Sequence, residues 1–268
     1  LVSKALANIL VYGLCGLSLA VSQQAVAQTN NGQARDVGMD PVKSAIDRGI
    51  KYLRSKQRED GAITDRQYAT TMTSLAIMAM ASTGITPNSL GEAGEASRKA
   101  LDFVVGGDRQ DQQGYFGNRD GSRMYGHGIT TLMLTEMLGM GADERQDRMV
   151  YETCSKAIEL ILAAQQQDKP AKYQGGWRYT PNSNDADLSV SVWQLMALRS
   201  AKNDGLEVPS EAIADAVSYL QRSCSSRVDA LGQPIGPSGG FCYLPDRRNP
   251  TYAMTSAGLL AMQVCGQY

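Results

Sequence analysis

The sequence predicts an all-α fold, an α/α toroid built of helical hairpins, and three observations predict it. Apolar residues recur at helical spacing through most of the chain, with almost no alternating, strand-like pattern. A long helix, a glycine turn and a second helix follow one another in that order four times. The second helix of each set is apolar on nearly every face, which requires protein all around it. An outer ring of amphipathic helices around an inner ring of apolar ones meets all three demands.

The first residues stand apart from this pattern. Lys4 is the only charged residue before Arg35, an apolar run extends from Ala5 to about Val21, and Ala25-Val26-Ala27 is a small-x-small tripeptide. Together these have the make-up of a secretory signal over residues 1–27, cleaved after Ala27. The apolar run is short for a membrane span and no basic stop follows it. Leu14, before Cys15, does not suit a lipoprotein cysteine. The expectation is an exported protein, periplasmic or secreted, with a polar leader over 28–40 and a helical domain over 41–268.

The formal net charge of −1 provides no basic excess to hold a phosphate backbone, which argues against nucleic acid as a partner. Beyond the signal lie Cys154, Cys224, Cys242 and Cys265. An oxidising compartment permits disulfides, and Cys224 with Cys242, which flank one loop, is the favoured pair. His127 is the only histidine and there is no C-x-x-C, so no metal site and no cofactor are expected.

The units divide at about 41–86, 92–141, 147–208 and 210–268. In the first, "PVKSAIDRGIKYLRSKQREDGAI" places Ala45, Ile46, Ile50 and Leu53 on one helical face and turns at Asp60-Gly61. "TTMTSLAIMAMASTGI" follows, rich in small residues, and stops at Gly84. The second has "SRKALDFVV", "GYFGNRDG" and "GITTLMLTEMLGMG"; the third has "CSKAIELILAAQ", "GGWRYTPN" and "LSVSVWQLMALRSA". The fourth has "IADAVSYLQRS", "SGGFCYLPD" and "TYAMTSAGLLAMQV". Leu53, Val104, Ile161 and Leu220 fall 51, 57 and 59 residues apart. After each comes a glycine with a bulky residue two places on: Gly61/Ile63, Gly114/Phe116, Gly175/Trp177 and Gly239/Phe241.

These anchors resemble the QW repeat of the squalene–hopene cyclase and prenyltransferase-like superfamily. Arg48, Gly49, Tyr52, Leu53, Gln57 and Gly61 match it, with Ile63 in place of the aromatic residue. The third unit keeps Gln165, Gly175 and Trp177, while Asp108 and Cys224 stand where the second and fourth would carry glutamine. The resemblance covers Pro41 to Tyr268 and implies the toroid more strongly than any one activity. Members close their rings with more than eight helices. An incomplete ring, closed by further C-terminal repeats or by a protein partner, is therefore expected.

In every unit the glycine turn leads into the start of an inner helix, so those starts should gather at one mouth. The residues there are Tyr68, then Arg123, Tyr125 and His127, then Asp185 and Asp187, then Arg248 and Tyr252. With Trp193 on the third inner helix, they form a polar and aromatic rim above an apolar funnel, suited to an apolar or extended ligand. By resemblance to the cyclases' Asp-x-Asp-Asp-Thr motif, "DADLS" puts Asp187 at the proton donor, with Asp185 and Tyr252 assisting. The same residues read first as helix caps, with Asn184 and Asp187 near a capping-box spacing. A helix start also favours the carboxylate over the acid.

Three functions follow from this reading: an exported scaffold that binds its ligand without cyclising it, an isoprenoid cyclase using Asp187, and a saccharide-acting lyase or hydrolase. The last would use His127 as base and Tyr125 as acid, with Gly126 and Gly128 letting the backbone approach the ligand. Met72, Met78, Met80, Met133, Met137, Met196 and Met254 read as core filler.

Overall fold

The computed structural model describes residues 40–64, 67–226, 235 and 239–266. The expected signal at 1–27 and most of the expected leader lie outside the described residues. Among the described residues the protein is all-helical, with eight α-helices. They are α1 (Pro41–Ser55), α2 (Ala69–Ala81), α3 (Gly91–Val105), α4 (Arg123–Glu136), α5 (Glu144–Gln165), α6 (Leu188–Asn203), α7 (Ser210–Ser223) and α8 (Tyr252–Val264). A short 3-10 turn, Ala171–Tyr173, stands between α5 and α6. Among the described residues extended pairing is limited to isolated bridges: Gln57 with Ile63, Cys224 with Phe241 and Cys242 with Pro250. None of the helices described is long and apolar enough to cross a membrane.

The even-numbered helices pack side by side in chain order, α2 on α4, α4 on α6 and α6 on α8. The odd-numbered helices lie behind them, with α1 on α3 and α3 on α5, and α3, α5 and α7 back α2, α4 and α6. The apolar character of the even helices accounts for this, since α4 and α6 bury residues on most of their circumference. The largest fully buried side chains, among them Trp177, Tyr219, Phe116 and Leu101, fill the space between the two layers. α1 is the exception. Ile50 and Leu53 are half-buried while Val42 and Ile46 are exposed, so its apolar face is covered only in part.

The turns between layers are held by one hydrogen-bond geometry that recurs. Gln57 Nε2 donates to Gly61 O (3.0 Å) and Ala96 O (2.8 Å). Gln110 Nε2 donates to Gly114 O (3.0 Å) and Thr153 O (2.9 Å). Gln165 Nε2 donates to Gly175 O (3.0 Å) and Ala212 O (2.8 Å). Each amide thus ties its own glycine turn to the next odd-numbered helix. The expectation that Asp108 stands at the second glutamine is corrected here: Gln110, two residues on, takes that place. Asp108 instead pairs with Arg119 in solvent.

The three glycines are required twice over. Their φ angles of 92°, 89° and 82° are in the left-handed region. A Cβ at Gly61, Gly114 or Gly175 would also stand 2.2, 2.5 or 2.1 Å from a carbonyl of the next odd-numbered helix. The fourth turn differs. Cys224 and Cys242 are free thiols, Cys224 opposite Phe241 in the bridge and Cys242 one residue further along.

Candidate functional site

The bulky residue after each turn is held in the same way by the following even-numbered helix. Ile63 N donates to Thr73 Oγ1 (2.9 Å), Trp177 N to Ser191 Oγ (2.9 Å) and Phe241 N to Thr255 Oγ1 (3.0 Å). In the second turn Phe116 N donates to His127 Nδ1 (3.4 Å). An Nδ1 that accepts leaves the proton on Nε2, which then donates to Ala157 O at 3.1 Å. The imidazole is fully buried between Tyr115 and Phe116, and burial lowers its pKa to about 4.

His127 therefore occupies the place of a hydroxyl residue that anchors a turn, and neither nitrogen is open to a substrate. Its flanking glycines also differ from expectation. A Cβ on Gly126 would meet Thr71 Oγ1 at 2.2 Å, and one on Gly128 would meet the Gln194 amide at 2.4 Å. They bring α4 against α2 on one side and α6 on the other rather than toward a ligand.

Asp187 is the N-cap of α6. Its Oδ1 accepts from Val190 N (3.0 Å) and from Ser189 Oγ (2.6 Å). Its Oδ2 lies 3.3 Å from Arg178 Nε, close enough for an ion pair but without hydrogen-bond alignment. Arg178 also pairs with Asp185 at 3.1 Å, its guanidinium facing the rings of Tyr179 and Tyr243. Because Ser189 gives its one proton to Asp187, Tyr125 is the donor in the 2.5 Å bond between Tyr125 and Ser189. The hydroxyls of Tyr179 and Tyr243 bond to each other.

Burial raises the Asp187 pKa, against the bonds from Ser189 and Val190 and the charge of Arg178. The helix start, expected to favour the carboxylate, is outweighed by desolvation at a group with 0% exposure. Burial also raises the pKa of Tyr125.

Of the rim residues read from the sequence, the structure brings together Tyr125, Asp185 and Asp187, and adds Arg178, Tyr179, Ser189 and Tyr243. Tyr179 and Tyr243 occupy matching places, two residues beyond Trp177 and Phe241. Their carbonyls also match, accepting from Met124 N at the start of α4 and Leu188 N at the start of α6 (both 3.0 Å). A comparison of "GGWRY" with "GGFCY" would have found both tyrosines; nothing in the sequence marks Arg178 as their shared partner. Tyr68 and Arg123 are exposed, at positive φ (64° and 58°). Tyr252 is 96% exposed at the start of α8, apart from the cluster's bonds. Trp193 is half-buried on α6.

Below the cluster, the even-numbered helices carry a stripe turned away from the odd-numbered layer. On α4 it runs Tyr125, Ile129, Leu132, Glu136, and on α6 Ser189, Trp193, Met196, Ser200, each at helical spacing. All but Ile129 are partly exposed, while most of their neighbours on the same helices are buried. On α2, Met72 is 44% exposed with Leu75 beside it, and on α8 Leu259 is 53% exposed. Among the described residues no group of acidic, histidine or cysteine side chains could hold a metal.

Neither a family model nor a curated protein matches the chain.

Proposed function

We propose that the protein is an exported helical-repeat scaffold of the squalene-cyclase and prenyltransferase-like kind, an incomplete α/α toroid that binds an apolar or extended ligand without transforming it. The observation that carries this reading is the apolar wall of the even-numbered helices. Leu132, Trp193 and Met196 remain partly exposed there although the layer behind them is fully packed. A contiguous apolar surface left open beside a polar cluster is the usual form of a binding site. The recurring glutamine clamps support the repeat reading, and the composition from Lys4 to Ala27 supports export.

The full-length protein, purified from the exported fraction without detergent and extracted with organic solvent, should release a stoichiometric lipid or isoprenoid seen by mass spectrometry. Trp193→Asp should abolish it. A folded protein that carries no apolar molecule and takes up neither squalene nor long-chain alcohols would overturn the reading.

A second reading, an isoprenoid cyclase with Asp187 as acid, is favoured by the raised pKa and the misaligned Oδ2 of that carboxyl. The cap geometry weighs against it, because Oδ1 already satisfies the helix start. Under the scaffold reading Asp187→Ala costs about 1–2 kcal/mol in urea unfolding and Asp187→Asn restores most of it. Squalene turnover that vanishes in a stable Asp187→Asn protein would instead establish the cyclase.

A further inference from the structure

The apolar wall has a different chemistry at each end, and its far end names a ligand class. Glu136 closes the stripe on α4 and Ser200 closes it on α6, and Ser200 Oγ donates to Glu136 Oε1 at 3.0 Å. At the near end the bond between Tyr125 and Ser189 joins the same two helices. The two bonds bracket a strip about 16 Å long, eleven residue rises on α4, with Leu132, Trp193 and Met196 between them.

Among the described residues Glu136 has no ion-pair partner. It stands in the last turn of α4, where the helix carbonyls already make the potential negative. Burial raises its pKa, against the bond from Ser200, and the charged group that acts on it, Asp204, is of the same sign and adds to the rise. The ion pairs among the described residues lie elsewhere. Both nearby cations on α6 are turned to other partners. Arg199 Nε donates to Val264 O on α8 (3.2 Å), and Lys202 Nζ donates to Val208 O (3.1 Å) and Ser210 Oγ (2.6 Å). Among the described residues, then, Glu136 stands with a hydroxyl donor and no ion-pair partner at the foot of an apolar strip.

We infer that this strip binds a linear aliphatic amine, its chain along Leu132, Trp193 and Met196 and its ammonium on Glu136. The inference rests on the binding role proposed for the wall and adds the charge of the ligand. An ammonium supplies the positive charge and adds hydrogen-bond donors to the one Ser200 already gives.

The test is isothermal titration of the full-length protein with decylamine, decanol and decanoate, each below its aggregation limit. The wild type should bind decylamine about tenfold more tightly than decanol, and decanoate more weakly than decanol. Glu136→Gln keeps the bond to Ser200 and should bind decylamine and decanol alike, with decanol unchanged. Equal binding of amine and alcohol by the wild type overturns this inference and leaves the apolar site standing. A preference for the amine that survives in Glu136→Gln also overturns it. Failure of all three probes to bind overturns the apolar site as well. The order among the three probes in the wild type needs no variant, so misfolding of Glu136→Gln would not shield the inference.

Discussion

At the scale of single residues, the same side chain serves two chemistries until its neighbours are known. His127 reads as a base because it is the one histidine of the chain and lies beside Tyr125. Its partners make it an anchor instead: Phe116 N on one nitrogen, Ala157 O on the other. This has a consequence for pH. The folded pKa of about 4 lies below the ordinary value of 6.5, so the unfolded chain takes up a proton before the folded one does. The contribution is complete above about pH 6.5 and is lost as the pH falls toward about 4, roughly 3 kcal/mol in all. Urea unfolding between pH 7 and 4 should show His127→Gln losing less stability than the wild type. Equal slopes would mean that His127 titrates normally. Asp187 is the converse case. Its place before α6 was legible as a cap or an acid, and the cap is what the bonds to Val190 N and Ser189 display.

At the scale of elements, the turns decide how one helix pair meets the next. Gln57, Gln110 and Gln165 make the same two bonds, yet the spacing from glutamine to glycine is four residues in the first two and ten in the third. Counted from the helix anchors, the glutamine lies four residues on in Leu53–Gln57 and Ile161–Gln165 but six on in Val104–Gln110, which is why linear alignment selects Asp108. Gln110→Ala should cost about 1–3 kcal/mol, because the part-buried carbonyls of Gly114 and Thr153 lose their donor. Asp108→Ala should cost little, since its pair with Arg119 is exposed. Gly175→Ala should be worse than either, more than about 2 kcal/mol, for it adds a left-handed strain to a 2.1 Å approach to Asp215 O. Denaturant midpoints of the three variants rank these effects. Near-equal losses for Asp108→Ala and Gln110→Ala would refute the assignment of the clamp.

For the molecule as a whole, two packed layers leave one face of the even-numbered helices open, and that face is the proposed ligand surface. A ligand that binds only the folded protein raises its stability by about 2.7 kcal/mol at one hundred times its dissociation constant. An aliphatic amine should therefore raise the melting temperature of the wild type in a concentration-dependent way, and that of Glu136→Gln less. The sequence by itself determined the helical class and the order of helices. Spacing of apolar residues is a local property, and second helices apolar on nearly every face called for a layer packed against them. It also determined Gly61, Gly114 and Gly175 as turns. Only the tertiary structure decided that Arg178 links Asp185 and Asp187 to Tyr179 and Tyr243, that Gly126 and Gly128 admit helices rather than a ligand, and that Glu136 meets Ser200 across 64 residues. The physical reason is that burial, charge pairing and hydrogen bonding depend on distance in space, and helical periodicity specifies which face a residue occupies but not what will stand opposite it.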